Sequence, residues 1–125
     1  MSTASRLLRN LFALMVGVFL CSPGQAKADG IEYLMVPSAA MGRDIPVAFQ
    51  AGGPHAVYLL DAFNAGPEVS NWVGAGAFST LVGKGISVAA PAGGAFSLYT
   101  NWEADASLQW ETFLSQELPD WLAEQ

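Results

Sequence analysis

The chain has 125 residues, 52% hydrophobic and 13% charged, too apolar for a disordered segment and long enough for one small domain at most. Three of its five basic residues, Arg6, Arg9 and Lys27, precede Asp29, so only Arg43 and Lys84 stand among the eleven carboxylates downstream. Displacing counterions from phosphate takes a basic face, so nucleic acid is excluded as a partner, and an anionic membrane surface with it.

Residues 1–28 read as an export signal. Arg6 and Arg9 form a positive start, and Leu11–Cys21 is an uncharged apolar run of 11 residues. A membrane span needs about 20, so no transmembrane segment is expected. Ser22, Pro23 and Gly24 break the run, and Ala26-Lys27-Ala28 is a cleavage site of the A-x-A kind. The exported part, 29–125, lacks the single cysteine, Cys21, and so has neither a disulfide nor a thiolate-bound zinc.

Ile31–Val36 is rich in strand formers, and Pro37-Ser38 ends it. Met41–Asp44 reads as a turn, and Ile45–Gln50 as a second strand, with Pro46 favouring a sheet edge. The two make an antiparallel hairpin. After the Ala51–Pro54 break, Ala56–Leu60 is continuously apolar, as a strand covered on both faces should be. Ser70 caps a predicted helix reaching Val82, with Trp72, Phe78, Leu81 and Val82 on its inner side and Gly83-Lys84-Gly85 as its stop. Ile86–Pro91 is another buried strand, and a glycine-rich loop, Ala92–Asp105, carries Tyr99 and Trp102. From Ser107 the pattern is helical, with Trp110, Phe113, Leu114, Leu118, Trp121 and Leu122 along one stripe and Pro119 kinking or restarting it. Hairpin, strand, helix, strand, helix is an α/β order with parallel units and right-handed crossovers.

His55, the only histidine, lies in a Gly-Pro turn with no nucleophile or orienting acid suggested beside it, and reads as a turn residue. Glu103, Asp105 and Glu111 flank a helix start, where acids favour the dipole, and read as solvated caps rather than a metal cluster. No cofactor motif is present: there is no P-loop, no G-x-G-x-x-G and no G-x-S-x-G. Asp61-Ala62-Phe63-Asn64 is expected at the carboxyl end of a strand, where open α/β sheets bind ligands, with the Gly93-Gly94 loop beside it. Pattern alone leaves open an oxyanion-supporting turn or an ordinary strand-to-helix connection.

Val36-Pro37-Ser38 with Met41–Ile45, Val57–Asp61, Gly85–Val88, Trp110–Leu114 and Glu117-Leu118-Pro119 resemble, in order and spacing, the mycobacterial antigen 85 family. These are secreted α/β-hydrolase-fold mycolyltransferases, also called fibronectin-binding proteins. The chain is most similar to their catalytically silent branch, the fibronectin-binding protein D type. The resemblance implies the N-terminal portion of an α/β-hydrolase domain, cut before the nucleophile strand, so no catalytic residue is assigned. It makes Asp61 a sugar-binding carboxylate, places Asn64 where active members carry a sugar-holding arginine, and puts Phe63 where a backbone N–H helps form the oxyanion hole. Ala75 stands for a second sugar-contacting asparagine, and the family's cysteine pair before Trp110 is missing. Phe78–Val88 matches the stretch proposed for fibronectin contact, with Thr80 and Leu81 in part of its aromatic run.

The expectation is therefore a secreted, cell-wall-associated, non-catalytic protein that binds trehalose-type carbohydrate or fibronectin, without metal or cofactor. The alternative is the N-terminal part of an active acyltransferase or esterase acting on trehalose mycolates.

Overall fold

The computed structural model describes residues 30–125, so the export signal expected over 1–28 lies outside the described residues. Two strands, β1 (Glu32–Ser38) and β2 (Arg43–Gln50), form the expected antiparallel hairpin, in register from Glu32 opposite Phe49 to Ser38 opposite Arg43. Alternation puts Val36 and Ile45 on one face and Met35 and Pro46 on the other. Pro37 and Ser38 stay in β1 rather than ending it, and the turn narrows to residues 39–42, where Gly42 takes a φ of 64°. Pro37 causes no loss there, because in this register its missing N–H faces the open edge of β1.

Two further strands, β3 (Ala56–Tyr58) and β4 (Ser87–Pro91), complete a mixed sheet of order β1-β2-β4-β3. β4 is antiparallel to β2 and parallel to β3, and all its residues are buried. β2 is thus an inner strand, against the edge position that Pro46 suggested. The proline is tolerated because it sits where the β4 ladder stops. Its carbonyl accepts the Ala92 N–H at 2.9 Å, and only the return bond is lacking. β3 is shorter than expected and half-buried rather than covered, because it forms the other edge. Leu59 carries the pairing one residue further, donating to the Ala89 carbonyl at 2.9 Å.

Helices cover both faces. On one, Ala48, Val88 and Ala90 pack under Phe78, with Val73 and Leu81 at the margin. The single helix expected over 70–82 is two: α1 (Asn71–Gly74) and α2 (Ala77–Leu81), separated where Gly76 turns to a φ of 79°. Ser70 caps α1 as expected, accepting the Trp72 N–H. Trp72 itself is 39% exposed, because its indole N–H turns away to donate to the Leu60 carbonyl. Gly83 stops α2 in the left-handed region at a φ of 72°.

On the other face, Val36, Ile45, Val47 and Ala89 meet Trp110, Phe113 and Leu118, all fully or nearly fully buried. The predicted stripe is real, and its helix starts at Trp110 rather than Ser107. Asp105 holds the Ser107 N–H at 2.9 Å and its hydroxyl at 2.6 Å in a local turn instead. The helix runs α3 (Trp110–Thr112), a π-helical turn (Phe113–Glu117) and α4 (Leu118–Ala123). Pro119 explains the π turn. An α-helical proline lacks its N–H and clashes with the carbonyl four residues back. The wider turn relieves this, and Leu118 N–H reaches the Phe113 carbonyl five residues back. The turn also points Glu117 at the hairpin, where it accepts the Ser38 hydroxyl at 2.5 Å and the Ala40 N–H at 2.8 Å.

Among the described residues no helix is long and apolar enough to cross a membrane.

Candidate site at the strand ends

β3 and β4 run parallel, so the segments that follow them leave the sheet side by side. Asp61–Asn64 follows β3, and the loop from Ala92 follows β4. The structure brings them together as the sequence suggested: Asn64 and Ala95 form an isolated antiparallel bridge, and Phe96 N–H donates to the Phe63 carbonyl at 2.7 Å.

Asp61 is half-buried and ties the site to α1. One carboxylate oxygen accepts the Ser70 hydroxyl at 2.7 Å and the Asn71 N–H at 2.9 Å. The other oxygen is buried and has no hydrogen-bond donor. An unsatisfied buried acceptor costs about 1–3 kcal/mol, more if charged. Asn64, three residues on, is exposed, with an amide that both donates and accepts.

Tyr99, in the loop, locks the two strand ends. Its hydroxyl accepts the Asp61 N–H at 3.0 Å and donates to the Pro91 carbonyl at 3.0 Å. Its ring meets Trp110 edge-on at 5.2 Å. Burial pushes the phenol up to about 12, offset in part by the bond from the Asp61 backbone. Gly93 makes room for it: a Cβ there would stand 2.5 Å from the Tyr99 oxygen.

The same loop holds three non-glycine residues in the left-handed region, Phe96, Leu98 and Tyr99, with φ of 58°, 52° and 51°. Each such residue costs of order 1–3 kcal/mol and persists only where its surroundings impose it. The Phe96 N–H bond to Phe63 and the Trp102 indole bond to the Ser97 carbonyl at 2.9 Å supply part of that constraint. Sequence reasoning placed Tyr99 in a loop without a role and missed Phe96. The Gly93-Gly94 pair at the start of the loop was the one available signal.

The other residues singled out stay apart. His55 is exposed and lines a groove of about 390 Å³ with Ser87. The Ser87 hydroxyl is committed, donating to the Gly53 carbonyl at 2.8 Å and accepting the Gly52 and Gly53 N–H groups. It fastens the loop before β3 to the start of β4 and is no free nucleophile. Glu103, Asp105 and Glu111 are all exposed, and Asp105 spends its carboxylate on Ser107, which holds its carboxyl below the usual range.

Comparison with known proteins matches residues 38–125 to the Esterase family. The MPT51/MPB51 antigen of Mycobacterium tuberculosis is 74% identical over 108 residues, covering 86% of this chain and 36% of that protein. The MPT51 antigen of Mycobacterium leprae is 71% identical over 118 residues, covering 89% and 39%. The diacylglycerol acyltransferase/mycolyltransferase Ag85B of Mycolicibacterium smegmatis is 48% identical over 103 residues, covering 74% and 32%. Among solved structures, the crystal structure of Mycobacterium tuberculosis MPT51 superposes with a TM-score of 0.74 at 77% identity, covering 77% of this chain and 36% of that one. The chain thus spans little more than a third of the length of these relatives, and what it forms is part of an α/β esterase-type fold.

Proposed function

Because the chain belongs to the Esterase family, on the branch of the antigen 85 and MPT51 proteins, we propose that it is an exported, non-catalytic carbohydrate-binding relative that grips a sugar through Asp61. The observation that carries this is the place of Asp61 just beyond the carboxyl end of β3, where open α/β sheets bind ligands, with the exposed Asn64 three residues on. A carboxylate at a strand end accepts from sugar hydroxyls, and a hydrogen bond to a charged acceptor is worth about 1.5–3 kcal/mol. Asn64 adds a neutral donor and acceptor in place of a cation, which suits an uncharged polyol. A trehalose-type disaccharide is the ligand class implied by resemblance to the antigen 85 enzymes, and the fibronectin-binding protein D type is the branch proposed. Residues 1–28 direct export to the cell envelope, and the exported domain, 29–125, is the N-terminal portion of the α/β-hydrolase fold, ahead of the nucleophile strand.

Fibronectin contact has less support. In the stretch that resembles the proposed contact region, Phe78 is 2% and Val88 0% exposed, so its largest aromatic is spent on the core. A second reading, acyl transfer or ester hydrolysis by a longer protein, rests on Phe63, whose position suits one backbone donor of an oxyanion hole.

Calorimetric titration with trehalose, run beside turnover of a p-nitrophenyl ester and of a trehalose monoester, separates these readings. Saturable sugar binding without turnover is expected. Saturable turnover that is lost in His55→Ala would overturn the non-catalytic reading.

A further inference from the structure

The loop after β4 is fastened at its two ends to different parts of the fold. Its first half belongs to the turn after β3: Asn64 and Ala95 form the bridge, and Phe96 N–H donates to the Phe63 carbonyl at 2.7 Å. Its second half belongs to the helix. The Thr100 carbonyl accepts the Trp110 N–H at 3.3 Å, Asn101 Oδ1 accepts the Thr112 N–H at 3.1 Å, and Asn101 Nδ2 donates to Thr112 Oγ1 at 3.0 Å. The left-handed residues, Phe96, Leu98 and Tyr99, fall between these anchors. The tie from this span to the strand ends is the Tyr99 hydroxyl, on the Asp61 N–H and the Pro91 carbonyl. A left-handed backbone at a residue with a Cβ relaxes once nothing imposes it. The bonds to α3 do not pass through that hydroxyl, so its loss frees the turn and not the helix.

We propose that residues 96–99 are a sprung strap with two states. Closed, the Tyr99 hydroxyl latches the start of the Asp61–Asn64 turn to the end of β4. Open, the latch is undone, residues 96–99 return to ordinary backbone angles, and the turn leaves β4 while the second half of the loop stays on α3. The strain sets the balance, because it raises the closed state and not the open one. Local openings of this kind lie below global unfolding in free energy. The turn stands beyond a strand end, where open α/β sheets bind ligands. A ligand that favours one form shifts the balance by its differential affinity. This holds for any ligand of the turn and does not rest on sugar binding at Asp61.

Native-state amide exchange of the full chain in low urea is the test. Asp61 and Phe96 N–H are expected to exchange through an opening that urea barely accelerates. They should exchange ahead of Val88, paired on both sides in β4, and of Thr112, held by Asn101. Leu98→Gly keeps the latch and accepts the positive φ, so protection of Asp61 and Phe96 should rise about threefold to tenfold. Leu98→Asn, whose short polar side chain tolerates the left-handed region, should move it in the same direction. Tyr99→Phe removes the latch and should lower it about tenfold. Exchange of Asp61 and Phe96 with the protection and urea dependence of Val88 and Thr112 overturns the strap, because the turn then opens only with the whole fold. Unchanged or lower protection in both Leu98 variants overturns the spring and the proposal with it. A full chain without protected amides also overturns it, since no closed state is then held.

Discussion

The Tyr99 hydroxyl stands between Asp61 and Pro91, 3.0 Å from the N–H of the first and 3.0 Å from the carbonyl of the second. One oxygen thereby fixes the spacing of two parallel strands just beyond their last ladder bonds. Tyr99→Phe leaves both backbone groups without that partner and keeps the ring contact with Trp110. Stability is expected to fall by about 1–3 kcal/mol, read as a lower urea midpoint at unchanged slope.

The same residue sets an alkaline limit. Its phenol is pushed up to about 12 from 10.0, so between these values the unfolded chain gives up a proton that the folded chain keeps. The unfolded state then binds fewer protons, and stability falls as pH rises through this window. The contribution is fully present below pH 10. Burial raises Tyr58 as well, so Tyr99→Phe should reduce the alkaline slope without abolishing it. Urea midpoints measured across the window in both proteins check this.

Gly93→Ala should damage the site from beneath. The new methyl would meet the Tyr99 oxygen at 2.5 Å and the Ser97 Oγ at 2.9 Å. Both belong to the strained loop, which has little freedom to yield. A loss of about 1–3 kcal/mol is expected, together with a change in the near-ultraviolet signal of Tyr99 and Trp102.

Glu117 joins the π turn to the hairpin through Ser38 and Ala40. Ser38 Oγ in turn accepts the Met41 N–H at 3.1 Å, so the tight turn hangs on this chain of bonds. Glu117→Ala should cost about 1.5–3 kcal/mol, and amide exchange of Ala40 and Met41 should accelerate ahead of the rest of the sheet.

Export is checked by N-terminal sequencing of protein recovered from the culture medium. The chain is expected to begin near Asp29, after the Ala26-Lys27-Ala28 site.

Strand and helix order was legible because it rests on apolar periodicity, which the core follows: Val36, Ile45, Val88, Phe113 and Leu118 are all buried where alternation or helical spacing put them. The misreadings share a cause. Pro37 and Pro46 were read from what proline does in general, whereas their fit depends on which way the missing N–H points, and only the register decides that. The split between α1 and α2 depends on Gly76 taking a positive φ, a choice that spacing does not express. The position of Asp61–Asn64 beyond the end of β3 was legible because strand ends are. Phe96 was not, since nothing in a sequence marks a phenylalanine for the left-handed region. Its placement comes from Tyr99, Trp102 and the bridge to Asn64 acting together.

The most direct measurement is trehalose affinity of the full chain against that of Asp61→Asn, by calorimetric titration. Asparagine keeps an oxygen for Ser70 and Asn71 and removes the charged acceptor from the strand end. Binding is expected to weaken about tenfold to a hundredfold, with the circular dichroism spectrum unchanged. Equal affinity in the two proteins would contradict a sugar site at Asp61.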